Sequence, residues 1–241
     1  MDNFERLFGE TREKKSSSHS LESLRKEFED LMTSGWYKLM KQGVKFSESG
    51  DYQNALDCIN FAIKQKPKHY HLLQVRAKIQ ENSGNPSEAI QDYKESLIVS
   101  GSDSYSVYNQ IAINFLYQQK FEKAIASFDI AIELKKGLIS AGIIEESIWD
   151  SSTVDGVVIY VPFEKMYINR ANAKMSLENY QGSFEDCMSA IEANPEYSNS
   201  FYVLGLLYFN INQEEKALES FNKAHDLGHP KAKLAVKQLL Q

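Results

Sequence analysis

The chain repeats itself at an interval of about 34 residues, and this constrains its fold more than any other feature. When residues 43–67 are aligned with residues 77–101, small residues match small residues and large apolar residues match large ones. A fixed period of this length is typical of stacked supersecondary units. The same frame returns three more times, with leading small residues separated by 34, 35, 59 and 34 residues: Gly43, Ala77, Ala112, Ala171 and Gly205.

Each copy has the pattern of two short helices joined by a turn. Large apolar residues recur at helical spacing, as in Phe121, Ile125 and Phe128. The small residues lie where two helix backbones must approach closely, because a bulky side chain there would overpack the crossing by about 1–3 kcal/mol. Gly50 and Gly84 indicate the turn between the two helices.

Composition and charge exclude two classes of partner. The chain has 241 residues, of which 42% are hydrophobic and 25% charged, close to an average globular protein. Its net charge of −6 lacks the positive surface that a nucleic-acid-binding protein requires. No window approaches the roughly 20 apolar residues of a membrane span. We therefore predict neither a nucleic-acid nor a membrane partner.

The compartment follows from the N-terminal residues and the cysteines. Residues 1–15 mix acids with bases and have no apolar segment, so they do not resemble a secretory signal. Cys58 and Cys187 could form one bridge, but two isolated buried thiols in a reducing compartment fit better. We predict a cytoplasmic protein.

The 34-residue helix–turn–helix unit resembles the tetratricopeptide-repeat family. The resemblance covers residues 36–138 and 164–229, which is most of the chain. It implies an all-α, right-handed superhelical solenoid of about five repeats with a capping helix at each end. No copy carries the family's tryptophan, since the residues at that position are Leu39, Leu73, Tyr108, Tyr167 and Phe201.

The resemblance divides the chain into five parts. We expect a disordered tail at 1–20, and an N-terminal capping helix with repeats one to three at 21–138. An insertion follows at 139–163, then repeats four and five at 164–229 and a C-terminal capping helix at 230–241.

The insertion accounts for the one long interval between repeats. It holds a strand-like run at 157–161 and a shorter apolar run at 147–149, separated by polar residues. This pattern predicts a β-hairpin or an ordered loop with one extended segment. Such a segment could be an inert surface loop, could pack back over the concave groove, could mediate self-association, or could bind a partner. For the binding role the candidate contact residues are Trp149, Val158 and Tyr160.

In the resembled family, the first helix of each repeat lines a concave face that binds extended peptides. A side-chain amide can donate and accept hydrogen bonds together, so it suits a peptide backbone. The alternative is that the polar residues of these first helices are merely solvated. By register, the candidate groove residues are Asn109, Tyr117, Asn169, Asn172, Asn199 and Tyr202.

The sequence lacks the residues for one well-known use of such a groove. The family's clamp for the C-terminal carboxylate of a chaperone needs lysine and asparagine in the first repeats. Those positions fall at Met40, Val44 and Val75 here. The resemblance therefore implies no chaperone-tail clamp.

No motif for catalysis is present. The sequence has no phosphate-binding glycine loop, no GxSxG and no HExxH. We expect no enzymatic activity, no cofactor and no metal. The predicted function is a protein–protein adaptor or scaffold that binds an extended peptide in its groove. The alternatives are a dedicated chaperone or neutralising partner of one protein, using groove and insertion together, and a subunit that only holds an enzyme complex together.

Overall fold

The computed structural model describes residues 35–142, 153–154, 157–158 and 161–240. The predicted tail at 1–20 and capping helix at 21–33 lie outside these residues. The described helices are α1 Gly35–Glu48, α2 Tyr52–Gln65, α3 Tyr70–Asn82, α4 Pro86–Ser100, α5 Tyr105–Tyr117, α6 Phe121–Ser140, α7 Phe163–Ser176, α8 Tyr180–Ala193, α9 Ser198–Asn210, α10 Glu214–Asp226 and α11 Ala232–Leu239.

Ten of these helices form five pairs that match the five predicted repeats. Within each pair, from α1 with α2 to α9 with α10, the two helices pack along their length. Each pair then packs on the next one along the chain, and α11 packs on α10. The predicted all-α solenoid of helix–turn–helix repeats is confirmed. Among the described residues, no helix is long and apolar enough to cross a bilayer.

Every repeat turns from its first to its second helix through one left-handed residue. In the first two repeats this residue is glycine, with φ of 80° at Gly50 and 81° at Gly84. In the last three it is Gln119, Glu178 and Asn212, with φ of 56°, 58° and 56°. All five repeats therefore share this turn conformation, but only the first two have glycine at the left-handed position.

The small residues identified by sequence lie at the close helix crossings. Ala77, Ala112 and Ala171 are fully buried. At Gly205 an added Cβ would lie 2.6 Å from two ring atoms of Phe221, so a larger residue would displace this ring from its place between α9 and α10.

A half-buried arginine connects three helices in repeat two, and another does so in repeat four. Arg76 of α3 donates to both carboxylate oxygens of Asp92 in α4, at 2.7 and 2.6 Å, and to Asn60 of α2 at 2.9 Å. Hydrogen bonding to Asp92 raises the pKa of Arg76.

The equivalent contact in repeat four is more buried and more highly charged. Arg170 of α7 donates to both oxygens of Asp186 in α8, at 2.9 and 2.5 Å, and to Asp129 of α6 at 2.6 Å. Lys174 also lies 2.9 Å from Asp186. Burial alone would lower the pKa of Arg170, but its bonds to the two aspartates raise it above the usual value. Both arginines thus bond within their own repeat and to the preceding one.

The two cysteines differ in accessibility, which gives a labelling prediction. Burial raises the pKa of Cys187 to about 12, helped by the charge of Asp186, whereas Cys58 is only half-buried. At pH 8 roughly one Cys187 thiol in 10⁴ is then ionised, and the thiolate is the reactive form. We expect N-ethylmaleimide to label Cys58 and spare Cys187, as read by peptide mass spectrometry. In denaturant both should react; equal labelling of the native protein would contradict the packing of α8.

The insertion contains two short paired strands. Strand β1 (Thr153–Val154) pairs antiparallel with β2 (Val157–Val158), with Thr153 opposite Val158 and Val154 opposite Val157. The first strand falls within the segment that the sequence assigned to the turn. The apolar run at 147–149 that was expected to pair with 157–161 lies outside the described residues.

Candidate protein-binding surface on the concave face

The first helices of the repeats form the inner face of the solenoid. Helix α1 approaches α3, α5 approaches α7, and α7 approaches α9, whereas no two second helices of neighbouring repeats come as close in the described part of the chain. The array therefore curves with its first helices inside, as the resemblance implies.

One position of the first helix, equivalent in every repeat and on this inner face, is buried in repeats one to four. Its residues are Met40, Gln74, Asn109 and Ile168, all of them buried. In repeat five the equivalent residue is Tyr202, which is half-buried against His229 with ring centroids 4.0 Å apart. Burial lowers the pKa of His229, and the nearby Lys231 charge adds to this, which favours the neutral form of the stacked imidazole.

One strand of the insertion lies beside the first helix of repeat two. Strand β2 lies beside α3, although the insertion leaves the solenoid after α6 and rejoins it at α7. The paired segment therefore reaches from repeats three and four back to repeat two. Of the roles considered for the insertion, packing back over the groove agrees with this contact.

Asn109 and Tyr117 occupy very different surroundings on α5. Asn109 is only 3% exposed, and its Oδ1 has no hydrogen-bond partner among the residues that the structure describes. An incoming peptide could not reach this amide without displacing the residues that cover it. Tyr117 is 70% exposed at the end of the helix. The structure does not bring these two candidates into one site.

The remaining asparagines lie on two adjacent helices. Asn169 and Asn172 of α7 and Asn199 of α9 are half-buried. No hydrogen bond to the Asn169 or Asn172 side chain occurs among the described residues, so both amides have unused donors and acceptors. In the insertion, Trp149 and Tyr160 lie outside the described residues, and only the backbone of Val158 is described, in β2.

A buried lysine at the base of the insertion was not anticipated from sequence. Lys135 is 1% exposed and donates to the backbone oxygen of Val161 at 2.7 Å. Its ammonium also lies 4.4 Å from the ring centroid of Phe163. The contact joins the last turns of α6 to the residues that precede α7. Helix α6 has 20 residues, against 13 to 15 for the other repeat helices, and Lys135 is its fifteenth.

Glu164 is a second buried charge at this junction. It is 3% exposed on the first turn of α7 and accepts a hydrogen bond from Asn194 at 3.2 Å. Asn194 follows the end of α8, so this bond connects the two ends of repeat four. No sequence signal distinguished Glu164 from a solvated residue.

Comparison with known families agrees with the repeat frame. Family models described as tetratricopeptide repeat match residues 40–105, 164–197 and 198–227, together more than half of the chain. The chain belongs to the tetratricopeptide-repeat family. This confirms the resemblance inferred from the 34-residue period. It also identifies the chain as a scaffold for protein–protein interaction, which is what such repeats form.

Two curated relatives share part of this tetratricopeptide chain. A small glutamine-rich tetratricopeptide repeat-containing protein of Dictyostelium discoideum is 36% identical over 61 residues, covering 25% of this chain and 18% of the relative. The small glutamine-rich tetratricopeptide repeat-containing protein 2 of Saccharomyces cerevisiae is 35% identical over 72 residues, covering 30% and 21%. The match thus spans about a fifth of each relative's length.

Solved tetratricopeptide structures share the fold over most of the chain. MamA superposes with a TM-score of 0.59 at 19% identity, covering 79% of this chain and 96% of MamA. YrrB, described as a TPR protein with an unusual peptide-binding site, gives 0.60 at 13% identity, covering 93% and 100%. One chain of the Cut9–Hcn1 hetero-tetramer gives 0.63 at 13% identity, covering 91% of this chain and 39% of that one. At these identities the likeness concerns the fold.

Proposed function

We propose that this protein is a non-enzymatic adaptor that holds an extended segment of a partner protein along the inner face of repeats four and five. The insertion would form one wall of that site. The observation that carries the proposal is the pair of half-buried amides on α7, Asn169 and Asn172, whose side chains make no hydrogen bond to the described residues.

The chemistry of these amides suits a peptide backbone. An extended segment presents alternating N–H and C=O groups, and each asparagine side chain can accept from one and donate to the other. Asn199, on the adjacent helix α9, extends the row toward repeat five. Recognition of this kind reads the backbone and tolerates different side chains, as an adaptor requires. YrrB offers a precedent within the fold, since it is described as having a peptide-binding site.

The inner face of repeats two and three also favours placing the partner segment on repeats four and five. Gln74 and Asn109 are buried, and β2 lies beside α3. A partner segment would meet covered residues there. It would meet exposed Phe209 and the half-buried amides toward α9. We therefore propose Asn169, Asn172, Asn199 and Tyr202 as the principal contacts, with Tyr117 at the margin.

The test is an affinity capture with three baits, followed by titration of the captured partner. The baits are the wild type, Asn169→Ala/Asn172→Ala, and a variant with residues 142–160 replaced by a short Gly-Ser linker. Asn222→Ala, on the exposed side of α10, is the matched control. Each lost amide bond is worth about 0.5–1.5 kcal/mol, so the double variant should bind the purified partner segment about tenfold more weakly.

The outcomes separate groove from insertion. Weaker binding by the double variant, with Asn222→Ala unchanged, supports the groove. Binding lost only in the linker variant would move the site to the insertion and contradict the groove proposal. A single stoichiometric partner lost in both variants would favour a dedicated chaperone with one large interface. That alternative is motivated by the contact of β2 with α3.

A further inference from the structure

The outer face of the solenoid carries an apolar groove across repeats two and three, which we call the outer groove. It consists of two adjoining cavities of about 690 and 670 Å³ that share Asp103 and Ile130. The first lies between α4 and α6, with Ile111 and Phe115 of α5 as its floor. The second continues along α6 to Leu138. The outer groove is distinct from the inner face discussed above.

Its walls are apolar side chains at helical spacing. Along α6 the lining residues recur every three or four positions from Lys123 to Leu138, a length of about 22 Å at roughly 1.5 Å per residue. Ile98 on α4 is 81% exposed and Ile130 on α6 is 44% exposed. Large aliphatic side chains that converge on one groove in this way are typical of a protein-interaction surface.

The groove is positively charged at one end. The ammonium groups of Lys94 and Lys123 lie 5.8 and 5.9 Å from the ring centroid of Phe115, so they flank the same ring. Neither forms an ion pair with a carboxylate among the described residues. This end therefore favours an acidic group on whatever covers the groove.

The rest of the groove is acidic. It is lined by Asp103, Asp129 and Glu133. Arg170 and Lys136 lie 2.6 and 3.0 Å from Asp129 and Glu133 and offset part of their charge. Asp103 accepts a hydrogen bond from the Tyr108 hydroxyl at 3.0 Å and has no cation of its own among the described residues. Charge thus changes sign along the groove.

We propose that the outer groove binds an amphipathic helix of a partner protein, about four turns long. Its apolar face would lie on Ile98 and Ile130, its acidic end against Lys94 and Lys123, and its basic end against Asp103. A helix fits better than a strand, because α4 and α6 satisfy their own backbone groups and offer no edge for pairing. Charge complementarity fixes the orientation of the bound helix.

The probe is a fluorescein-labelled 16-residue peptide with leucines along one helical face, two glutamates at its N-terminal end and two lysines at its C-terminal end. A comparison peptide has lysines in place of the glutamates. Binding to the full chain is measured by fluorescence anisotropy. The protein variants are Lys94→Glu/Lys123→Glu, Ile130→Asp and, as a control, Met188→Asp, whose side chain on α8 is equally exposed, at 45%.

The wild type should bind the glutamate peptide about tenfold more tightly than the comparison peptide, and Lys94→Glu/Lys123→Glu should reverse the preference. Ile130→Asp should weaken both by about tenfold or more, whereas Met188→Asp should change neither. No binding, equal binding of both peptides, or equal effects of the two aspartates would overturn the proposal.

Two further results would show that something other than a partner helix occupies the outer groove, and either one would overturn the proposal. If removing residues 1–20 strengthened peptide binding tenfold, the chain's own N-terminal residues would fill the groove. If the wild type dimerised in sedimentation and Ile130→Asp abolished the dimer, a second copy would fill it.

Discussion

Ala131→Arg should destabilise the protein by about 4 kcal/mol or more, enough to unfold repeat three at moderate temperature. Ala131 is fully buried in α6 and packs in a cluster with Tyr105, Ile132 and Met166. An arginine there would separate these helices or bury a guanidinium without a partner, and both are costly. The measurement is a thermal and urea melt followed by circular dichroism.

The control is Ala126→Arg, the same exchange on an exposed position of the same helix. It should change the free energy of unfolding by less than about 0.5 kcal/mol. Hydrogen exchange should localise the damage of Ala131→Arg to α5, α6 and α7. If both variants melted like the wild type, the assignment of α6 to the core would be wrong.

Asp186→Ala should cost about 3–5 kcal/mol, because it removes one partner of a buried ion pair. The carboxylate is almost fully buried and receives both Arg170 and Lys174. Without it, two cations face each other in a site largely shielded from water. Because Arg170 also contacts α6, we expect repeats three and four to lose their coupling together. The midpoint of urea unfolding is the direct readout.

Asp129→Ala provides an internal comparison, since Asp129 bonds the same guanidinium from an exposed position. Its side chain is 52% exposed, against 3% for Asp186. Exposed ion pairs contribute only about 0–1 kcal/mol, so this variant should be nearly as stable as the wild type. Equal losses from the two aspartates would mean that burial does not decide the strength of this network.

The repeat frame could be predicted because close helix crossings tolerate only small residues, and those are visible in the sequence. Only two of the five turns between helices could be predicted from the sequence. Gly50 and Gly84 stand out, whereas Gln119, Glu178 and Asn212 adopt the same left-handed conformation with no glycine to indicate it. There the packing of the two flanking helices imposes the backbone conformation.

The ion pairs of Arg76 and Arg170 could have been found from sequence. In both repeats the arginine precedes its aspartate by 16 residues, which is the spacing between facing positions of the two helices. The two charges recur at equivalent positions of repeats two and four, as the small residues do. That recurrence predicts both contacts.

The burial of Lys135, Glu164 and Asn109 could not have been predicted from local pattern. Each lies on a helix at a position that is commonly solvated, and Lys135 and Glu164 bond to residues distant in sequence. Lys135 contacts Val161, 26 residues later, across the insertion. Where a long insertion lies depends on contacts with the folded solenoid, such as that of β2 with α3.

The hydrogen bond between Lys135 and Val161 closes the insertion at its base, so the segment beyond it could be exchanged as a unit. It holds the entry and exit of the intervening segment side by side, while α6 and α7 pack directly as neighbouring repeats do. We therefore expect that residues 142–160 can be replaced or lengthened without altering the packing of α6 against α7. An exchange of this segment would then alter the surface beside repeats three and four and leave the helix pairs unchanged.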